Sequence, residues 1–241
     1  MVAPEKMNCY VVSDLHLFSR RSLANDHEAA IYEAAAQADI LVLAGDIFDF
    51  KWSHFGSFAE STTEASAWLR RLIDASPYCQ IHYLLGNHDH HPLFVEELGA
   101  LSAEHENLSW HPYHLRLGSA VFLHGDAANP RMNQARLEAF RSRFAHHRQA
   151  GAQRNRMYDF TVSAGLHILG ARLAFPRRRT LRRITRYLDE IGEGWADGVR
   201  NVYFGHTHRR LADEEFRDLK FHNGGAPMKG MDFEVVSAQL G

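Results

Sequence analysis

One stretch of the chain, residues 81–89, has the sequence Ile81-His82-Tyr83-Leu84-Leu85-Gly86-Asn87-His88-Asp89. Its first half is an apolar and aromatic run typical of a buried β-strand, and its second half carries amide, imidazole and carboxylate groups. Four other apolar runs are followed in the same way by side chains that bind metals. Those four endings are Asp14-Leu15-His16, Gly45-Asp46, His124-Gly125-Asp126 and Gly205-His206-Thr207-His208.

The apolar runs before these endings predict five strands, which are Tyr10–Val12, Ile40–Leu43, Ile81–Leu85, Ala120–Leu123 and Val202–Phe204. In open α/β sheets, ligands bind beyond the carboxyl ends of the strands, so we expect the five polar endings to converge on one pocket. Apolar residues at helical spacing between the strands, as in Ala59–Ala75, predict helices that cover the sheets.

Capping and turn residues predict the remaining elements. Asp26 is the expected N-cap of a helix over His27–Ala38, and Pro92 begins another. Gly118-Ser119 predicts a hairpin between Tyr113–Leu117 and Ala120–Leu123. A second hairpin and a last strand are predicted at Leu211–Phe216 with Leu219–Phe221, and at Phe233–Ser237. Together these elements predict an α/β fold in which a two-sheet β-sandwich core is flanked by helices, in the order α/β/β/α.

The ligand types predict the metal chemistry. Seven side chains form the candidate metal set, namely Asp14, His16, Asp46, Asn87, His124, His206 and His208. A nitrogen and oxygen set without thiolate suits Mn²⁺, Zn²⁺, Fe or Co and argues against a cysteine-based structural zinc site. Seven ligands are too many for one ion, whereas two ions that share Asp46 as a bridge accommodate them. Such pairs, roughly 3.5–4 Å apart, hold a bridging hydroxide and clamp a phosphoryl group during in-line displacement.

The ordered motifs D-x-H, G-D, G-N-H-[DE], H and G-H-x-H resemble those of the calcineurin-like metallophosphoesterases. The resemblance covers residues 7–126 and 199–225 and implies a phosphoester hydrolase with two divalent ions, Mn²⁺ being favoured over Fe, Zn²⁺ or Co. It implies one ion on Asp14, His16 and His208, a second on Asn87, His124 and His206, and Asp46 as their bridge. It also implies a catalytic set of Asn87, His88 and Asp89, in which His88 assists the leaving group and Asp89 orients its imidazole.

Residues 127–198 differ from the rest of the chain, because they hold fourteen Arg, no Lys and six acidic residues, a charge of +8. Helical patterns occur around Leu137, over the apolar segment 160–175 and after Pro176. The sequence therefore predicts a core of residues 1–126 and 199–241, with residues 127–198 as a helical cap insertion. An apolar helix beside clustered arginines suggests an anionic amphiphile as substrate.

The cap makes the chain similar to the UDP-2,3-diacylglucosamine pyrophosphohydrolases of lipid A synthesis, which insert a helical cap between HGD and GHTH to hold acyl chains. This resemblance implies that Arg141, Arg178, Arg179 and Arg182 contact a lipid phosphate substrate. Three alternatives stay open. The cap helices could pack their apolar faces on the core with solvated arginines, the arginines could hold nucleotide or nucleic-acid phosphates, or the fold could be a non-catalytic scaffold. The absence of interleaved aromatic residues disfavours nucleic acid, and the complete ligand set disfavours a scaffold.

The composition of the 241 residues is that of a globular enzyme, with 45% hydrophobic residues and a net charge of −2 that gives no overall nucleic-acid signature. Cys9 and Cys79 are predicted to be small buried residues without a disulfide. Residues 1–6 are too short and polar for a signal peptide. We therefore expect a cytoplasmic protein, with peripheral contact to the inner face of the membrane through the cap and no obligate protein partner.

Overall fold

The structure, a computed structural model that describes residues 7–241, contains ten strands in two sheets. Residues 1–6, where we expect no signal peptide, lie outside the described residues. The strands are β1 (Cys9–Val12), β2 (Ile40–Ala44), β3 (Gln80–Leu84), β4 (Leu108–His111), β5 (His114–Leu117), β6 (Ala120–Leu123), β7 (Asn201–Phe204), β8 (Leu211–Phe216), β9 (Leu219–Asn223) and β10 (Val236–Ala238).

The helices are α1 (Glu28–Gln37), α2 (Phe58–Ala75), α3 (Pro92–Glu104), α4 (Gln134–Ala145), α5 (Ala152–Ser163), α6 (Leu166–Ala174) and α7 (Arg177–Glu190). The first sheet has the order β10-β1-β2-β3-β4, and the second has the order β5-β6-β7-β9-β8. Strands β1 to β4 run parallel, as do β6, β7 and β9. Their carboxyl ends therefore carry the polar endings to one edge of each sheet.

Alternation along the buried strands separates two packing faces, because successive side chains point to opposite sides of a strand. In β2, Val42 and Ala44 pack against Phe122 and Tyr203 of the second sheet. The neighbouring residues of β2 pack against the helices α1, α2 and α3. On the outer face of the second sheet lies α7. The layers thus have the predicted α/β/β/α order, and the predicted fold class is confirmed.

Several local predictions differ from the structure. Asp26 lies inside a 3₁₀ turn, Ala24–His27, and α1 begins after it at Glu28. Strand β4 was not predicted, because its half-polar sequence lacks an apolar run. The last strand starts at Val236 instead of Phe233. Both predicted hairpins are present, and Cys9 and Cys79 are buried free thiols, as predicted.

The segment 127–198 contains four helices with different surroundings. Helix α7 packs Leu181, Ile184 and Leu188 on the second sheet, as an integral part of that layer. The apolar stretch predicted as one helix over 160–175 is broken at Gly165, which has a φ of +70° and separates α5 from α6. These two helices pack on each other as a hairpin, and no residue of α6 is fully buried. The division at residues 127 and 198 stays a prediction, and, of the residues described, α5 and α6 bury fewer than the other two helices of this segment.

The α5–α6 hairpin contacts the core at two places. At one, the buried Arg21 donates to the carbonyl and side-chain oxygens of Asn155, pairs with Asp159 at 2.8 Å, and lies between the rings of Trp52 and Tyr158. At the other, Val162 packs on Ala226 and Met228, and His167 contacts the carbonyl oxygen of Lys229. The hairpin thereby spans two loops of the core.

Candidate metal centre

Side chains from five strand ends meet in two adjacent clusters. Asp14, His16 and His208 form the first cluster and Asp46, His124 and His206 form the second, and within each cluster one potential ligand atom per residue lies within 4.8 Å of the others. Asn87 joins the second cluster, where its Oδ1 lies 3.3 Å from Nε2 of His124. The structure thus places the seven predicted ligands together, in the two groups that the resemblance implies.

The spacing of the ligand atoms suits cations. In the first cluster, Nε2 of His16 lies 3.1 Å from Nε2 of His208, which lies 3.5 Å from Oδ1 of Asp14. In the second, Nδ1 of His206 lies 3.3 Å from Nε2 of His124. Ligands held about 2.0–2.2 Å from one ion are separated from each other by distances of this size.

Asp46 lies between the two clusters. Its Oδ2 is 3.3 Å from Nε2 of His124 and 4.0 Å from Nε2 of His16, so one carboxylate faces ligands of both groups. Its Oδ1 accepts a hydrogen bond of 2.7 Å from the backbone N–H of His88, which fixes the orientation of the carboxylate. This geometry is what a bridging ligand requires.

The backbone at the site adopts an uncommon conformation. Five of the seven ligand residues have φ between 47° and 65°, in the left-handed region, namely Asp14, His16, Asp46, His206 and His208. Each such residue costs roughly 1–3 kcal/mol, and these conformations cluster at functional sites. The ligand loops therefore store strain that their surroundings must hold in place.

Two glycines allow the clusters to be this compact. A Cβ atom at Gly86 would collide with the carboxylate of Asp46, and one at Gly205 would collide with the carboxylate of Asp14. These are two of the four glycines that adjoin the predicted ligands in sequence. They are required here because any side chain would occupy the space of a ligand.

The electrostatics of the clusters also fit divalent cations. Burial lowers the pKa of His206 to about 4, with the neighbouring His124 adding to the effect, so its imidazole is neutral and has a free lone pair. Burial lowers the pKa of His124 too, but Asp46 outweighs burial and raises that pKa to about 10. Burial raises the pKa of Asp14 to about 6. Positive charge is therefore favoured at the buried carboxylates, and cations supply it.

Comparison with known proteins identifies the family. Residues 7–210 match the calcineurin-like phosphoesterase family. The chain belongs to this family. No curated protein matches the chain. Among solved structures, a dimetal phosphatase from Danio rerio is similar, with a TM-score of 0.49 and 11% sequence identity over 93% of this chain and 89% of that chain.

This calcineurin-like phosphoesterase is a metal-dependent phosphoester hydrolase, and its clusters are suited to a dinuclear centre of divalent ions. When bound, such ions polarise a phosphoryl group and supply a nucleophile at neutral pH. The protein orients their ligands through further contacts. Nδ1 of His124 lies 3.3 Å from the carbonyl oxygen of Ala44, to which it can donate, and its Nε2 then remains free for a cation.

The predicted partner of His88 is wrong, because Asp89 faces away from it. The Asp89 carboxylate accepts hydrogen bonds from the Tyr83 hydroxyl and from the backbone N–H groups of Ile47 and Gly86. Asp89 therefore holds the loop that carries Asn87 and His88, which is a structural role. Adjacency in the motif suggested contact with His88, but the loop turns the two side chains apart.

Asp49, which the sequence analysis did not single out, is the partner of His88. Its Oδ1 lies 3.0 Å from Nδ1 of His88, and its Oδ2 lies 3.5 Å from Nδ1 of His16. Burial lowers the pKa of His88, but Asp49 and Asp46 outweigh burial and raise it to about 9. Divalent ions beside it would oppose this shift. With Nδ1 engaged, His88 can present Nε2 to a leaving oxygen, because its side chain is 20% exposed.

The predicted substrate role of Arg141 is also wrong, because this arginine is 1% exposed. Its Nε and Nη2 donate to the two carboxylate oxygens of Asp126 at 2.7 and 2.9 Å, and Nη1 donates to the carbonyl of Pro112. Burial raises the pKa of Asp126, but Arg141 outweighs burial and lowers it below its ordinary value. Arg141 thus fixes α4 to the end of β6, beside the second cluster.

Replacing Arg141 is expected to destabilise the fold. Arg141→Met leaves the Asp126 carboxylate buried without its partner, which costs about 3–5 kcal/mol. Urea denaturation should show this as a lower transition midpoint with an unchanged slope. The double variant Asp126→Asn/Arg141→Met should recover part of the loss, because no isolated charge remains. An unchanged midpoint for Arg141→Met would contradict the assigned role.

Arg178, Arg179 and Arg182 lie on the solvent-facing side of α7, opposite its buried residues. Within residues 7–241, none of the three forms an ion pair with a carboxylate. The N-terminal end of the same helix adjoins the metal centre, because the ring of Phe175 lies 5.3 Å from that of His206. Their role toward a substrate stays a prediction.

Proposed function

We propose that this phosphoesterase hydrolyses an anionic amphiphilic diphosphate, with UDP-2,3-diacylglucosamine as the leading candidate and Mn²⁺ as the favoured metal. The observation that carries the proposal is an apolar surface on the α5–α6 hairpin, next to the metal centre and within a segment of charge +8. Nucleotides and soluble phosphodiesters have no acyl chain that such a surface could cover. An acylated diphosphate has both an apolar part and the phosphates that the metals act on.

The apolar surface consists of large side chains at helical spacing. They are Met157 and Phe160 of α5 and Leu166, Leu169 and Leu173 of α6, and their exposed fractions range from 49% to 71%. These leucines therefore do not pack on the core, whereas Val162 of the same hairpin does. Exposed apolar residues that form a patch mark interaction sites, whereas scattered ones do not. We assign the patch to acyl chains, either within the bilayer surface or drawn from it.

Peripheral membrane contact follows from the same proposal. Within the described part of the chain, no helix is long and apolar enough to cross a bilayer. The hairpin instead combines apolar side chains with basic residues such as Arg154 and Arg156, both exposed. Helices of this kind lie in the interface plane and are attracted to anionic lipids. The inner, cytoplasmic face of the membrane is the location we propose.

The proposal predicts a substrate-selective loss of activity. Leu169→Asn/Leu173→Asn should lower kcat/KM for UDP-2,3-diacylglucosamine by at least ~10-fold, because full burial of one leucine contributes about 1.5–3 kcal/mol. Hydrolysis of bis(4-nitrophenyl) phosphate with Mn²⁺ should change little, since this diester has no acyl chain. Leu93→Asn on α3 is a matched control, as Leu93 is an exposed leucine outside the hairpin.

The arginines of α7 are tested on the same substrates. Arg178→Glu/Arg179→Glu/Arg182→Glu should lower activity on the amphiphilic diphosphate by about 10²-fold, because charged hydrogen bonds to phosphate are directional and strong. Flotation with anionic vesicles measures the membrane contact, which the leucine variant should lose. Equal rates of all variants on the lipid substrate would contradict the proposal. A steep salt dependence of binding to RNA or DNA would instead favour the nucleic-acid phosphodiesterase alternative.

A further inference from the structure

A cavity of about 190 Å³ lies between the α5–α6 hairpin and the first metal cluster. Its outer wall is formed by one side of α6, with Ile168 and Arg172, and its inner wall by His208 and Arg209. His208 is a ligand residue of the metal centre, so the cavity begins at the first cluster and extends from it beneath α6. Ligand pockets for whole small molecules are larger, about 300–1,000 Å³. This cavity therefore has the size of a subsite for one part of a substrate.

The charges that line the cavity favour an anion. Arg210 pairs with Glu234, so its charge is largely compensated. Arg209 is half-buried and uses one nitrogen, Nη1, to donate to the carbonyl of Phe175 at 3.0 Å. Arg172 lies on α6 and forms no ion pair within the described residues. Two guanidinium groups, one from the core and one from the hairpin, thus have donors left for a ligand.

One acidic residue also lines the cavity. Asp232 lines the wall formed by residues 230–232, near the Arg210–Glu234 pair. A single carboxylate leaves a net positive charge and adds an acceptor for a hydroxyl group. The combination of guanidinium donors and one acceptor suits a phosphate whose neighbour carries hydroxyls, such as the phosphate of a nucleoside or a sugar.

We infer that this cavity is a second phosphate subsite, in which Arg172 and Arg209 bind the phosphate adjacent to the one held at the metal centre. The inference rests on the proposed function, because it assigns the second phosphate of a diphosphate. It makes Arg172 and Arg209 specificity residues that distinguish diphosphates from monophosphates. In this arrangement, one side of α6 lines the subsite, while Leu169 and Leu173 on the other side remain exposed.

Direct binding of UDP and UMP tests the subsite without relying on turnover. The two ligands share the nucleoside and differ by one phosphate, and their dissociation constants for the Mn²⁺-loaded protein can be measured by calorimetry. The wild type should bind UDP at least ~10-fold more tightly than UMP, since charged hydrogen bonds are worth about 1.5–3 kcal/mol. Arg172→Ala and Arg209→Ala should each remove most of this preference, while UMP affinity stays within about twofold.

Three comparisons make the test decisive. Arg186→Ala removes an exposed arginine of α7 away from the cavity and should keep the full preference for UDP. Arg209→Lys keeps the charge but loses the paired donors, so this variant should retain only part of the preference for UDP. Two metal ions per chain in each variant, measured by elemental mass spectrometry, would show that the metal centre is intact.

A wild type that binds UMP and UDP equally, or variants that weaken both ligands equally, would overturn the subsite. If the preference for UDP holds but UDP-2,3-diacylglucosamine is not hydrolysed, the subsite stands and the proposed amphiphilic substrate fails. If the lipid substrate is hydrolysed without any preference for UDP over UMP, the proposed function stands and the subsite fails.

Discussion

Asp46→Asn is expected to lower metal-dependent hydrolysis by at least ~10³-fold, a loss of several kcal/mol of transition-state stabilisation. The amide has the same shape as the carboxylate and can still accept from the backbone N–H of His88. It carries no charge, however, at a position where one oxygen faces both His16 and His124. Without that charge, the repulsion between two cations is not offset, and at least one should be lost.

Metal analysis accompanies the activity measurement. Elemental mass spectrometry should find fewer than two ions per chain for Asp46→Asn, against two for the wild type. Asp74→Asn is the matched control, because Asp74 is an exposed carboxylate on α2 with no contact to either cluster. A purified Asp46→Asn protein with wild-type turnover and two ions per chain would show that Asp46 is not a bridge.

His88→Ala is expected to lower turnover by ~10²–10⁴-fold on substrates with poor leaving groups, the range for general acid catalysis. A 4-nitrophenyl ester should be affected less, because 4-nitrophenolate leaves without a proton. Metal content should stay at the wild-type value, since His88 is not one of the seven predicted ligands, although its ring lies 5.0 Å from that of His16. Equal losses on both substrate types would point instead to an electrostatic or binding role.

Asp49→Asn separates positioning from proton donation. Loss of the carboxylate should lower the pKa of His88 and loosen its ring, so the poor-leaving-group substrates should again suffer most, but less than with His88→Ala. Because Asp49 also lies near His16, metal content must be measured alongside. For His88→Ala, the control is His105→Ala, which removes an unrelated imidazole at the C-terminal end of α3.

The fold could be predicted where the polarity of the residues in an element reflects whether that element is buried. The strands β2 and β6 are buried on both faces, so their sequences are uninterrupted apolar runs that mark them directly. Strand β4 has mixed polarity because it lies at the edge of the first sheet, and it was missed. The break at Gly165 was missed for a similar reason, since the apolar pattern continues across it and only the backbone reverses.

The metal ligands could be predicted because they follow strands directly. The hydrogen-bond partner of His88 could not, because it depends on the conformation of the loops. Asp49 lies three residues beyond Asp46 in the same loop, and this second carboxylate was the available signal. Asp89 is next to His88 in sequence, yet its carboxylate binds the loop's own N–H groups. Which side of α6 would be exposed could not be decided from spacing, because the pattern fits a helix with either face on the core.

The left-handed backbone at five ligand residues implies a trade-off between stability and activity. Glycine adopts this conformation without steric cost, and asparagine does so more readily than histidine. A chain selected for thermal resistance alone would therefore place glycine or asparagine at positions such as His16 and His208. Consensus or stability-guided redesign would favour the same changes and yield a protein that is more stable but inactive. In this enzyme, the residues least suited to their backbone are the ones that engineering should leave untouched.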